Sequence, residues 1–137
     1  MPKADKLSPG AVKLLEEAQI ANLVTLMSDG SPQVTPVWVD VEADGSHILV
    51  NTANGRVKQR NTAKDKRVAV SVVDKGNPWR FALVRGDIVE QRTEGADAHI
   101  DKLAKKYLGQ DSYPFRQPTE QRVILRIKPH HVTEMGT

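Results

Sequence analysis

Cysteine is absent from the 137 residues, which removes disulfides, thiolate metal centres and cysteine nucleophiles together. Aromatic side chains are scarce: two Trp, two Tyr and two Phe. A surface that stacks single-stranded bases needs more exposed rings than that. No apolar run approaches the roughly 20 residues of a membrane span, and residues 1–7 carry no apolar signal core. Charge of one sign is not in excess either. A net charge of +3 is too small for a general nucleic-acid binder and confines any basic site to a local cluster. Acidic residues are scattered, with no pair placed for acid–base hydrolysis, and Ser28, Ser31 and Ser71 lack the context of a nucleophile elbow. These absences point to a soluble protein of the cytoplasm without nucleic-acid or membrane partners.

What is present reads as one domain over residues 1–137, with 1–7 as a flexible N-terminus. Ser8 can cap a helix and Pro9 suits its first position. Val12, Leu15 and Ala18 then give an apolar stripe, predicting a helix over 9–18. Residues 20–27 read as a strand, Asp29-Gly30 as a hairpin turn, and 32–41 as the return strand. Pro36 cannot donate to a ladder, so that strand is interrupted or lies at an edge there. Further strands are expected over 47–52, 67–73, 79–91 and 122–128, with Gly86 marking a bulge in the long one and Pro129 limiting the last. Short helical segments are expected over 56–65 and 94–108, the latter carrying Ile100, Leu103, Ala104, Tyr107 and Leu108 at helical spacing before Gly109. About six antiparallel strands with three helices make a mainly-β, α+β barrel decorated by helices.

The segment richest in chemistry is Asn51-Thr52-Ala53-Asn54-Gly55-Arg56-Val57-Lys58-Gln59-Arg60-Asn61, where a strand ends and a helix opens. Backbone amides at a helix start favour an anion, and arginines add bidentate phosphate donors. Arg56, Arg60 and Lys64 are spaced four apart, so they repel one another unless an anion sits among them. Lys58 lies well round the helix from Arg56, so the two can meet one phosphate only near the helix end. A solvated basic helix face is the plain alternative. Trp38 and Trp79 read either as barrel core or as walls of a pocket for a planar ring. The adjacent His130 and His131 project to opposite sides of a strand, so a shared metal is not expected, and His47 and His99 read as surface residues.

The order of these pieces carries a resemblance. Asn54-Gly55-Arg56-Val57-Lys58-Gln59-Arg60-Asn61 followed by Asp65-Lys66-Arg67-Val68-Ala69-Val70-Ser71-Val72-Val73-Asp74 resembles the split-β-barrel flavin reductase superfamily of pyridoxamine 5′-phosphate oxidase. It is most similar to the class using the deazaflavin coenzyme F420, the FDOR-B type. The hairpin from Ala21 to Trp38, Trp79-Arg80-Phe81 with Val84-Arg85-Gly86, and the stretches 105–115 and 122–132 extend the likeness over most of the chain.

The resemblance implies an FMN-binding-like split barrel and a homodimer with two cofactors between the subunits. It places Arg56 and Lys58 at the cofactor phosphate, with Arg60 and Asn61 nearby. Gln33, Thr35, Val37, Asn51 and Thr52 would border the ring, with Trp79 coming from a strand that lines the pocket and Trp38 at the substrate. The activity implied is hydride transfer from reduced F420 to an electron-poor small molecule such as an enone, quinone or heterocycle. The cofactor carries that chemistry, and no catalytic side chain can be named. An FMN-dependent oxidase or reductase of the same fold and a non-catalytic cofactor or haem carrier are the alternative readings.

Overall fold

The computed structural model describes residues 4–137. Its helices are α1 (Pro9–Glu16), α2 (Val57–Lys64) and α3 (Ala96–Leu108). Its strands are β1 (Ala21–Leu26), β2 (Pro32–Val37), β3 (Asp40–Val41), β4 (Ile48–Ala53), β5 (Arg67–Asp74), β6 (Asn77–Arg92) and β7 (Arg122–Met135). All seven strands join one antiparallel sheet in the order β2-β1-β5-β6-β7-β4-β3. The two edges of this sheet, β2 and β3, are separated in sequence only by Trp38 and Val39. Three peptide steps reach at most about 11 Å, so the sheet must curl until its edges nearly meet. The result is a barrel left open along one seam.

The seam explains the first departure from the sequence expectation. The predicted strand over 32–41 is two strands, and the count is seven rather than six. Pro36 lies on an edge strand opposite Asn22, where its missing N–H costs no ladder bond. Beyond Val37 the chain crosses from one edge of the sheet to the other. Val39 is fully buried at this crossing, and its peptide groups have no strand partner. α3 supplies them. The Val39 N–H donates to the Tyr107 hydroxyl at 3.1 Å, and its carbonyl accepts from Lys106 Nζ at 2.6 Å. Tyr107 in turn donates to the Gln19 carbonyl at 2.5 Å, and Lys106 donates to that of Leu15 at 2.5 Å.

The interior follows the sequence pattern closely. Val123, Leu125 and Ile127 of β7 all face inward and are at most 1% exposed. They pack with Leu14 and Leu15 of α1 and with Leu23, Ile48, Val50, Val70 and Val72. Ser8 caps α1 by accepting from the Ala11 amide at 3.1 Å. Pro129, expected to limit the last strand, does not end it: β7 continues to Met135. Pro129 sits opposite Gly86 at a shift in the β6–β7 register, so the missing N–H falls at a bulge. Gly86 is required there because a Cβ would lie 2.2 Å from the Lys128 carbonyl oxygen. Of the expected flexible stretch 1–7, residues 1–3 lie outside the described residues. Ala4 donates to the His130 carbonyl, and Leu7 is buried and bonded to that of Gly45. Among the described residues no helix is long and apolar enough to cross a membrane.

The bulge makes a direct prediction. Gly86→Ala forces backbone apart and should lower stability by about 1–3 kcal/mol. Gly76→Ala, where the new methyl meets only Asp74 Oδ1 at 3.5 Å, should be nearly silent. Urea unfolding of both variants checks the contrast.

Candidate functional site

Gly55, with φ of 90°, turns the chain sharply from the end of β4 into α2. Arg56 occupies the N-cap position of α2, and no side chain caps the first amides. Two clefts flank this helix. One, of about 460 Å³, is lined on its polar side by Ser28, Arg60, Asn61, Lys64 and Asp65. The other, of about 230 Å³, is lined by Pro36, Val37, Trp38, Asn51, Lys58 and Arg122, with Ile20 and Ile100. Helix periodicity therefore divides the basic segment, sending Arg60 and Lys64 to one side and Lys58 to the other.

The second cleft is electrostatically unbalanced. Glu120 is the carboxylate at its rim, and it serves two arginines, Arg56 at 2.9 Å and Arg122 at 2.7 Å. The Arg122 side chain is only 3% exposed. Burial raises the Glu120 carboxyl, but the two guanidiniums outweigh this and hold it below its ordinary value. Lys58 adds a third cation. Burial first, and then Arg56 and Arg122, depress its ammonium. Among the described residues, Lys58 Nζ has no hydrogen-bond or ion-pair partner. Three cations thus face one carboxylate.

Behind the cleft runs a buried polar chain. Arg122 Nε donates to Asn51 Oδ1 at 2.8 Å, and Asn51 Nδ2 meets the Ala96 carbonyl at 2.9 Å and His99 Nδ1 at 3.1 Å. His99 Nε2 lies 3.1 Å from Asp40 Oδ2, which also accepts from Lys102 at 3.0 Å. His99, expected at the surface, is buried at 9% exposure. Its position three residues after Ala96 and four before Leu103 put it on the inward stripe of α3, a signal available in the sequence. Burial raises the Asp40 carboxyl, but bonds from His99, Lys102 and the Val41 amide win and hold it far below the usual carboxylate range.

Four of the six aromatic residues gather at the same rim. Trp38 stacks on Tyr107 with centroids 5.2 Å apart and planes 4° apart. Tyr113 meets Trp38 edge-on at 6.0 Å, Phe115 meets Tyr113 at 5.6 Å, and Arg122 lies 5.3 Å from the Tyr113 ring.

Of the residues expected at a cofactor, Val37, Asn51 and Lys58 line the second cleft, and Arg60 and Asn61 the first. Arg56 stands between them at the helix start. Asn61 is buried and donates to Thr25 Oγ1 at 3.0 Å. Gln33 and Thr35 are half-buried on β2. Among the described residues, Gln33 Oε1 and the buried Thr52 Oγ1 have no hydrogen-bond partner. Trp79 stands apart at the start of β6, 73% exposed and in neither cleft. Sequence reasoning missed Arg122, Glu120 and Tyr113 as parts of this site, because Asn51, Arg56 and Trp38, which they meet, are far off in the chain.

A profile of the family described as "Pyridoxamine 5'-phosphate oxidase" matches residues 7–136. A solved structure titled "F420 Reductase" is 29% identical, with a TM-score of 0.79 over 93% of this chain and 98% of that one. The conserved hypothetical protein Rv2991 from Mycobacterium tuberculosis is 22% identical, with a TM-score of 0.68 over 98% and 89%. HupZ from Group A Streptococcus is 18% identical, with a TM-score of 0.66 over 93% of both chains. These last two share the fold.

The buried Asp40 carboxylate predicts a pH signature. Its folded value lies below the ordinary value of about 3.9, so its stabilisation is present above about pH 4 and is lost as pH falls further. Asp40→Asn should cost about 3 kcal/mol at pH 7. Urea unfolding from pH 7 down to pH 3 should show the two proteins converging in acid.

Proposed function

Since the chain belongs to the pyridoxamine 5′-phosphate oxidase family, we propose that it is a cytoplasmic oxidoreductase that works with coenzyme F420. The observation that carries this reading is Lys58, a half-buried cation without a partner among the described residues, set between Arg56 and Arg122 with one carboxylate to serve them. Such a cluster fits a phosphate. The unpaired acceptor of Gln33 and the hydroxyl of Thr52 fit a ring edge that carries hydrogen-bonding groups. The first cleft, with Arg60 and Lys64, suits the additional anionic groups of F420. That feature and the 29% identity to an F420 reductase over nearly both full lengths favour the deazaflavin over FMN.

In this reading Arg56 and Lys58 hold the phosphate, with Arg60 and Asn61 nearby in the first cleft. Gln33, Thr35, Val37, Asn51 and Thr52 border the ring, and the indole of Trp38 forms the wall for a planar, electron-poor acceptor. When bound, the deazaflavin supplies hydride transfer. The chain itself orients the reactants and keeps water from the apolar wall. Val34, Val73 and Leu83, on β2, β5 and β6, are 62%, 42% and 37% exposed. They line an apolar sheet face that a second copy would cover, which makes the working form a homodimer. Trp79 then contributes from the partner.

Titration with F420 and separately with FMN, followed by ligand fluorescence, tests the assignment. Tight F420 and weak FMN binding is expected. Preference for FMN would move the protein to flavin chemistry, and binding of neither would remove the redox reading. Arg56→Ala and Lys58→Met should each weaken F420 binding by about 1.5–3 kcal/mol. Lys58→Met should at the same time leave the melting temperature of the unliganded protein unchanged or higher, because it relieves cation repulsion. Leu83→Asp should shift the mass in light scattering from dimer to monomer.

A further inference from the structure

The hydrogen bonds behind the second cleft admit only one direction. An arginine Nε–H can only donate, and a backbone carbonyl can only accept. Asn51 meets one of each: Arg122 Nε at 2.8 Å and the Ala96 carbonyl at 2.9 Å. Its amide orientation is therefore fixed, with Oδ1 toward Arg122 and Nδ2 toward Ala96 and His99. His99 Nδ1, 3.1 Å from that Nδ2, must then accept. The ring hydrogen sits on Nε2 and is donated to Asp40 Oδ2 at 3.1 Å. Asp40 is held in turn by Lys102 through Oδ2 and by the Val41 amide through Oδ1. Arg122 gives to Asn51, Asn51 to His99, and His99 to Asp40: a one-way chain of donors that ends on a buried carboxylate.

The chain has an effect at its cleft end. Asn51 grips Nε of Arg122, and Glu120 grips Nη1 at 2.7 Å. Two points fix the plane of a guanidinium, and among the described residues Nη2 is left without a hydrogen-bond partner. We propose that Arg122 is an anion-binding residue of this cleft and that His99 is its positioning residue, acting through Asn51 without touching the ligand. The inference rests on the reading that the cleft takes an anionic, phosphate-bearing cofactor. The ring is suited to this role because it accepts at one nitrogen while anchoring to Asp40 at the other. A phenyl ring of similar shape can do neither.

Long-range proton–nitrogen NMR on the wild-type protein should find His99 protonated at Nε2 and unprotonated at Nδ1. The opposite tautomer would overturn the chain. For binding, F420 is titrated into wild type, His99→Phe, His99→Asn, Arg122→Lys and the His99→Phe/Arg122→Lys double variant, each checked by circular dichroism. His99→Phe and Arg122→Lys should each lose roughly tenfold in affinity. The double variant should lose no more than either alone, since both break one linkage. His99→Asn, whose amide oxygen can accept from Asn51, should recover most of the loss, which a purely space-filling role would not produce. Losses that multiply to roughly a hundredfold, or a His99→Asn variant as weak as His99→Phe, would overturn the proposal. If wild type binds neither F420 nor FMN, the cofactor reading fails by itself. The positioning role is then judged by the Arg122 Nε–H signal, which should exchange slowly in wild type and rapidly in His99→Phe. An unchanged exchange rate would sink it.

Discussion

A buried peptide group cannot be left unpaired, and at Val39 this rule organises the molecule. The chain leaves one edge of the sheet and joins the other within two residues, and the polar groups exposed at that crossing lie in the interior. Tyr107 and Lys106 satisfy them, which fixes the end of α3 against the seam. Lys106 is itself desolvated there, and burial brings its ammonium down to about 8. The carbonyls of Leu15 and Val39 compensate in part. With the end of the helix fixed, the rest of α3 has no freedom of register. Two turns upstream, His99 and the Ala96 carbonyl arrive at Asn51. The helix that seals the barrel is therefore the helix that sets the back wall of the cleft.

The electrostatics of the cleft follow from the same economy. Glu120 comes from the loop between α3 and β7, and Arg116 and Tyr113 moor that loop to Asp101 of α3 at 2.6 and 2.8 Å. One carboxylate is brought to three cations. A site arranged only for stability would carry a second acid or one fewer base, since unpaired buried charge is costly. Among the described residues Lys58 remains unmatched, and the anionic cofactor proposed above would complete the set. The unpaired oxygens of Gln33 and Thr52 express the same incompleteness in neutral form.

Much of this was legible from local pattern. The Asp29-Gly30 turn, the inward run Val123, Leu125 and Ile127, and the capped start of α1 are set by neighbours in sequence, and Gly86 within a strand marked the bulge. So was the basic cluster, including the displacement of Lys58 around the helix. What escaped was settled by contacts between distant residues. The break after Val37 exists because the barrel must close, which no window of sequence shows. Pro129 stays within β7 because Gly86, far earlier in the chain, provides the bulge opposite it. In the sequence Arg122 is the first residue of the expected last strand. Its place in the cleft rests on Asn51, 71 positions upstream, and on a carboxylate it shares with Arg56, 66 positions upstream. His99 was readable from the stripe of α3, but its polarity argued for the surface until Asp40 was found beside it.

The chain holds only two indoles, and the fold gives them opposite settings. Trp38 is half-buried, stacked on Tyr107 at the rim of the cleft. Trp79 is 73% exposed at the start of β6. Ultraviolet-excited emission from this protein should therefore hold a bluer component from Trp38 and a redder one from the solvated Trp79. The molecule carries its own pair of optical labels, one at the rim of the cleft and one at the start of β6, without any dye being attached.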